Sequence, residues 1–273
     1  MDLKVTDFYP FNADLSGKFL TCLDQQSLSG KFVFNLLLLK YLTEKRPVHI
    51  VSFNSSRNHF DSILRKHSFD CTKLEQAGLL KFYFSDSNCA SLTESLQYDE
   101  NLAERDVPYA TVSLSHDSSI EQERLLCVVD ILKSLISTLS TPIAKSLLPV
   151  VLVDDLNAFE TLFLHRSYMR GSDHIEFGQS YISALHTLLS VNKIHSLICY
   201  GEDCSDDNTF KPYSLMEYCK ARADDTVVVA CLDSGFSSEV HGQLVMSSQH
   251  GLTSQRLLFK AMDTGIKCCV SRI

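Results

Sequence analysis

The residues Leu147 to Glu160, LLPVVLVDDLNAFE, constrain the fold more than any other stretch of the chain. Pro149 introduces an unbroken apolar run, Val150-Val151-Leu152-Val153, which ends on Asp154-Asp155. A strand that is apolar at every position has both faces covered, as in a parallel sheet layered between helices. The two carboxylates then lie at the strand's C-terminal end, where open α/β sheets hold their ligands. This is the shape of a Walker B segment, whose Asp helps to hold Mg²⁺ on a nucleotide. It is equally the shape of a buried strand running into a solvated turn. A partner motif upstream has to separate the two.

The rest of the chain alternates strands with helices. Lys18 to Cys22 reads as a first strand, and the polar turn Leu23 to Ser29 leads through Gly30-Lys31 to an apolar helix from Phe32 to about Thr43. Pro47 separates that helix from a second strand, Val48 to Phe53. Asn54 to Ser56 cap a helix reaching His67, with Phe60, Ile63 and Leu64 on one face. Leu79 to Phe84 is a third strand. Ser85 to Asp117 reads as a long polar connection, and Ile120 to Leu139 as an amphipathic helix. Beyond the Asp-Asp strand come a loop at Leu164 to His174 and a helix at Phe177 to Leu189. The strand Ile194 to Tyr200, the acidic loop Gly201 to Thr209 and a short helix at Tyr213 to Ala221 follow. The C-terminal part then reads as closely spaced strands: Thr226 to Leu232, Val240 to Ser247, Arg256 to Met262 and Ile266 to Val270, with Asp263-Thr264-Gly265 as a hairpin turn. The pattern predicts an α/β fold with a mostly parallel sheet flanked by helices and a C-terminal antiparallel edge. Nothing marks a boundary, so residues 1–273 read as a single domain.

Bulk properties remove several function classes. A net charge of −8 argues against non-specific polyanion binding by the chain as a whole, and leaves only local basic clusters. The N-terminus, MDLKVTDFYPFNADL, lacks a basic segment followed by an apolar core, so no signal peptide is expected. The longest apolar run, Phe32 to Leu39, is interrupted by Asn35 and is too short to cross a bilayer. The ten cysteines contain no C-x-x-C pair. Cys22, Cys199, Cys231 and Cys268 sit in apolar strands, where a thiol serves as a small hydrophobe. This usage points to a reduced cytosolic or nuclear compartment without a zinc or disulfide framework. His241 has no second ligand at metal spacing, and no nucleophile motif is present. No metal, catalytic residue or cofactor is therefore expected.

The partner motif is degenerate. A P-loop needs G-x-x-x-x-G-K-[ST] between a strand and its helix, so that backbone N–H groups wrap the phosphates and the hydroxyl binds Mg²⁺. The matching segment is Gln25-Gln26-Ser27-Leu28-Ser29-Gly30-Lys31-Phe32. Gly30 and Lys31 are in place, but Gln25 replaces the first glycine and Phe32 the hydroxyl. RecA-like ATPases also use a Glu near the end of the second strand, where Asn54-Ser55-Ser56 supplies none. Gly30, Lys31 and Asp154 thus read as a silent nucleotide site. The alternative is a stand-alone recombination-type ATPase with an atypical site.

The order of these elements resembles the sixth subunit of the Elongator complex, a family of RecA-like proteins without a working P-loop. The resemblance rests on Ser29-Gly30-Lys31-Phe32, on Pro149 to Leu156, and on Ser237-Ser238-Glu239-Val240-His241-Gly242-Gln243-Leu244. The last stretch is similar to the family's G-x-x-x-D-V-H-G-x-L box, with Glu239 in place of Asp. The resemblance implies a non-catalytic member of a hetero-hexameric ring built with the fourth and fifth Elongator subunits, two copies of each. In the family that ring binds tRNA and assists modification of the wobble uridine by a different subunit. It implies a cytoplasmic or nuclear location and no membrane.

Two surfaces are candidates for that work. His165-Arg166-Ser167-Tyr168-Met169-Arg170-Gly171 follows the Asp-Asp strand, and Arg166, Tyr168 and Arg170 could contact phosphates and stack on an unpaired base. The same arginines could instead pair with Asp173 or Glu176 on a solvated loop. Val240, His241 and Gly242 could form an interface, since glycine permits close backbone approach, or a bulge within the antiparallel strands.

Overall fold

A computed structural model describes residues 3–4, 10–25, 29–84, 129–139, 147–163, 173–191, 193–203, 215–232, 239–248, 255–262 and 265–270. Its strands are β1 (Leu3–Lys4), β2 (Lys18–Gln25), β3 (Val48–Ser52), β4 (Leu80–Phe84), β5 (Val150–Asp154), β6 (Ser196–Asp203), β7 (Asp225–Ala230), β8 (Gly242–Ser248), β9 (Gln255–Met262) and β10 (Gly265–Val270). Its helices are α1 (Lys31–Thr43), α2 (Arg57–Lys66), α3 (Cys71–Gln76), α4 (129–139), α5 (Leu156–Phe163), α6 (Asp173–Ser190) and α7 (Leu215–Arg222).

All ten strands join one sheet in the order β1-β10-β9-β8-β7-β2-β6-β5-β3-β4. The six strands from β7 to β4 run parallel, and β8, β9, β10 and β1 extend them antiparallel. The expected architecture is therefore present, with one adjustment. The strand near Thr226, β7, pairs antiparallel with β8, as the meander requires, and its other edge pairs parallel with β2, because α7 makes the crossover from β6 that a parallel neighbour requires.

Every residue of β3 and β5 is buried, as an apolar run without alternation demands. One cluster packs α1, α2 and α3 on the first face, around Phe34, Leu37, Tyr41 and Phe60. The other packs α4 to α7 on the second, around Leu135, Phe159, Tyr181 and Leu185. Helix α1 is apolar nearly all round because it spans both halves of the sheet, and Phe32 reaches Phe259 of β9 with ring centroids 5.1 Å apart. Short helices start where side chains replace missing backbone acceptors: Ser56 accepts from the His59 amide and Asp70 from the Lys73 amide.

Several boundaries differ from the sequence expectation. β2 runs on through Gln25, and β6 through Asp203, so Glu202 and Asp203 are strand residues and not loop. Eight consecutive pairings between these two strands hold the extra residues extended. Helices α3 and α5 occupy segments to which no element had been assigned. Both are short, and α5 begins one residue past the strand end, with Asp155 alone between them as its cap. The expected connection at residues 85–117 lies outside the described residues, as does the hairpin turn at 263–264. Its flanks pair as that turn requires, Met262 with Gly265.

His49 on β3 is buried, with Nδ1 3.0 Å from the Tyr83 hydroxyl and the two rings stacked. Burial, and then the nearby Lys81 charge, lower its pKa from 6.5 to about 4. Above pH 6.5 the ring is neutral in both folded and unfolded chains, so its contribution to stability is complete. As the pH falls from 6.5 towards 4 the unfolded chain takes the proton first, and stability falls. Urea midpoints should decline over this window, and His49→Gln should flatten the decline. An unchanged slope would show that His49 is not its source.

Candidate functional site

The residues singled out from sequence do meet. Asp154 ends β5, Gly30 and Lys31 begin α1, and all three lie at the C-terminal ends of the parallel strands. The strand order places β6 and β5 to one side of β2 and β7 to the other, which is where ligands bind in open sheets of this kind.

The groups at this point pair mainly with one another, and Asp154 Oδ1 has the Lys31 charge beside it but no hydrogen bond. Asp154 is fully buried. Lys31 Nζ sits 3.1 Å from its Oδ1 and 3.2 Å from its Oδ2, and donates to Ser55 Oγ at 2.6 Å. Ser52 Oγ donates to Asp154 Oδ2 at 3.0 Å, and accepts from the Ser55 amide. Asn54-Ser55-Ser56, which lacked the glutamate of an ATPase, thus contributes a hydroxyl that binds the lysine.

The start of α1 is closed in the same way. A helix N-terminus attracts anions, because its first amides have no internal acceptors. Here the anion is Asp24, whose Oδ1 accepts from the Gly30 amide at 2.5 Å. Its Oδ2 accepts from the Tyr200 hydroxyl, and burial, followed by that hydrogen bond and the Asp24 charge, raises the phenol's pKa. Lys31 Nζ lies 5.8 Å from the Tyr200 ring. Gly30 has no room for a side chain: a Cβ would fall 2.5 Å from Val229 Cγ2 and collide with Asp24. Asp155 adopts a left-handed backbone, φ 62°, and its carboxylate takes the Ala158 amide at the head of α5 and the Asn54 side chain.

The groups that a P-loop ATPase turns towards phosphate are here occupied internally: the helix amide by Asp24 and the lysine by Asp154. The position of the Mg²⁺ hydroxyl belongs to Phe32, spent on packing against Phe259. The sequence expectation ends the first strand at Cys22, short of Asp24, and nothing local ties Asp24 to Tyr200. An acidic residue six positions before Gly30 was the available signal. Among the described residues no group of three or more His, Cys, Asp or Glu side chains is placed to hold a metal.

The remaining candidates separate. Arg166, Tyr168 and Arg170 lie outside the described residues. Gly242 opens β8 opposite Phe259, and the His241 amide also donates to the Phe259 carbonyl at 2.8 Å. Two residues facing one is the pattern of a β-bulge. Val240 and His241 are part-exposed just before it.

A family model for Elongation complex protein 6 matches residues 9–262. The chain belongs to that family. As a member of the Elongation complex protein 6 family it is an Elongator subunit. Among solved structures it is similar to a KaiC-like protein from the hyperthermophilic archaeon Pyrococcus horikoshii, at 11% identity over 98% of this chain and 99% of that one, with a TM-score of 0.52. This likeness shows the RecA-like fold. No curated protein sequence matches the chain. Among the described residues no helix is long and apolar enough to cross a membrane.

The Lys31–Asp154 pair makes a quantitative prediction. Lys31→Met should leave the buried carboxylate without its cation and cost ~3–5 kcal/mol in chemical denaturation. Lys31→Met combined with Asp154→Leu should recover most of that loss, and additive losses would refute the coupling. Gly30→Ala should cost ~1–3 kcal/mol through overpacking against Asp24 and Val229.

Proposed function

We propose that the chain is a non-catalytic subunit of the Elongator complex. It forms a RecA-like ring with the fourth and fifth subunits that binds tRNA and supports modification of the wobble uridine, U34, to carboxymethyluridine derivatives by another subunit. The observation that carries the non-catalytic part is the internal closure of the nucleotide position. Asp24 holds the Gly30 amide and Asp154 holds Lys31, so an incoming triphosphate would meet two carboxylates and would have to displace both. Replacing those bonds with bonds to phosphate brings little net gain while desolvating more charge. The absence of a hydroxyl at Phe32 removes the usual Mg²⁺ ligand as well.

Family membership supports the assembly part, and Arg166, Tyr168 and Arg170 are the residues proposed to touch RNA. Arginine offers bidentate contacts to phosphate, and a tyrosine between two arginines can stack on an unpaired base.

Calorimetric titration of the isolated chain with Mg-ATP should give no heat of binding at micromolar nucleotide. A micromolar affinity would instead favour the stand-alone recombination-type ATPase. For RNA, Arg166→Ala with Arg170→Ala should weaken tRNA binding by the assembled ring about tenfold or more at moderate salt. Equal affinity with an intact ring would remove this loop from the RNA surface.

A further inference from the structure

The antiparallel extension of the sheet has two unlike faces. On one, Leu244, Met246, Leu257 and Phe259 belong to the core cluster built on α1. The cluster that α4 to α7 build over the other face reaches Val228 of β7 and contains no described residue of β8, β9 or β10. On that second face the register aligns Val228 with Val245, Val245 with Arg256, and Lys260 with Lys267. Arg256, Leu258 and Lys260 are alternate residues of β9 and so point the same way. The register also sets Lys4 of β1 opposite Lys267. Arg256 and Lys267 are exposed, while Val245 and Leu258 are part-exposed. Lys260 pairs at 3.3 Å with Glu239, whose side chain is 82% exposed.

Like charges set directly across an antiparallel ladder repel, and here they gather in a chain whose net charge is −8. Lysine on an edge strand can serve to block unwanted strand pairing. That explanation does not reach Arg256 and Lys260, because β9 is paired on both sides, with β8 and β10. We propose that this face docks an acidic protein surface, with aliphatic side chains to cover Val245 and Leu258 and carboxylates to meet Arg256, Lys260 and Lys267. The proposal rests on the reading of the chain as an assembled Elongator subunit. An apolar centre with a charged rim is the ordinary anatomy of a protein interface. Single-stranded nucleic acid is the poorer match, because it is held by stacking on aromatic rings and these seven residues are aliphatic or cationic. The pair with Glu239 is largely exposed, so exchanging it for a partner's carboxylate costs little.

The test compares the full-length wild-type chain with Lys260→Glu/Lys267→Glu for binding to the purified remaining Elongator subunits. Association of the variant should be about tenfold slower or more, and added salt should slow the wild type more than the variant. Lys260→Gln/Lys267→Gln should give an intermediate loss, and decides the matter if charge reversal prevents folding. The Gln variant's melting temperature should stay within a few degrees of wild type, as expected for surface changes. Unchanged association of both variants, while the wild type binds, overturns the docking surface alone. So does loss of tRNA binding with assembly intact, which would assign the face to nucleic acid. A wild-type chain that does not join the other subunits overturns the docking surface together with the reading beneath it.

Discussion

A carboxylate with no exposed surface, that of Asp154, has to be matched in place, and the C-terminal end of the sheet is arranged around that demand. Removing a charge from water costs several kcal/mol unless a counter-charge and hydrogen bonds replace the solvent. Lys31 and Ser52 supply them. Because Lys31 is the first residue of α1 and Ser52 the last of β3, the match fixes where the helix begins relative to two strands. Asp24 does the same from β2 by holding the Gly30 amide. The helix is thus tied at one point to three strands.

The same helix joins the two halves of the sheet. Its apolar side chains cover the parallel strands, and Phe32 extends the contact to Phe259 in the antiparallel extension. In a nucleotide-binding relative of this fold that position would carry a hydroxyl for the metal. Here it carries packing. The internal ion pair and the aromatic contact make this helix start a joint between strands.

Much of the fold was legible in the sequence. The run Val150 to Val153 could only be a strand covered on both faces, and the helix after Gly30 was marked by its glycine and its unbroken apolar residues. The short helices α3 and α5 were not legible, since segments of six and eight residues carry little periodicity. The antiparallel pairing of β7 with β8 follows from their close spacing, but its parallel pairing with β2 was not legible, because it depends on the crossover that the short α7 makes. Of the candidate site, Gly30, Lys31 and Asp154 were found from motif spacing. Asp24 and Tyr200 were not, because 176 residues separate them and local sequence does not record such a bond.

By itself the sequence determined the layers, the strand that had to be interior, and the loss of the P-loop glycine and hydroxyl, because each follows from the chemistry of a residue and its immediate neighbours. Tertiary structure alone decided which groups Lys31 and the Gly30 amide meet. Whether Lys31 faces phosphate or a carboxylate, and whether the α1 amide meets a ligand or Asp24, depends on the pairing of β2, β3 and β5 with distant parts of the chain. Pairing also put Lys260 opposite Lys267 and Arg256 opposite Val245. A one-residue slip in that register would have turned every one of those charges to the other face.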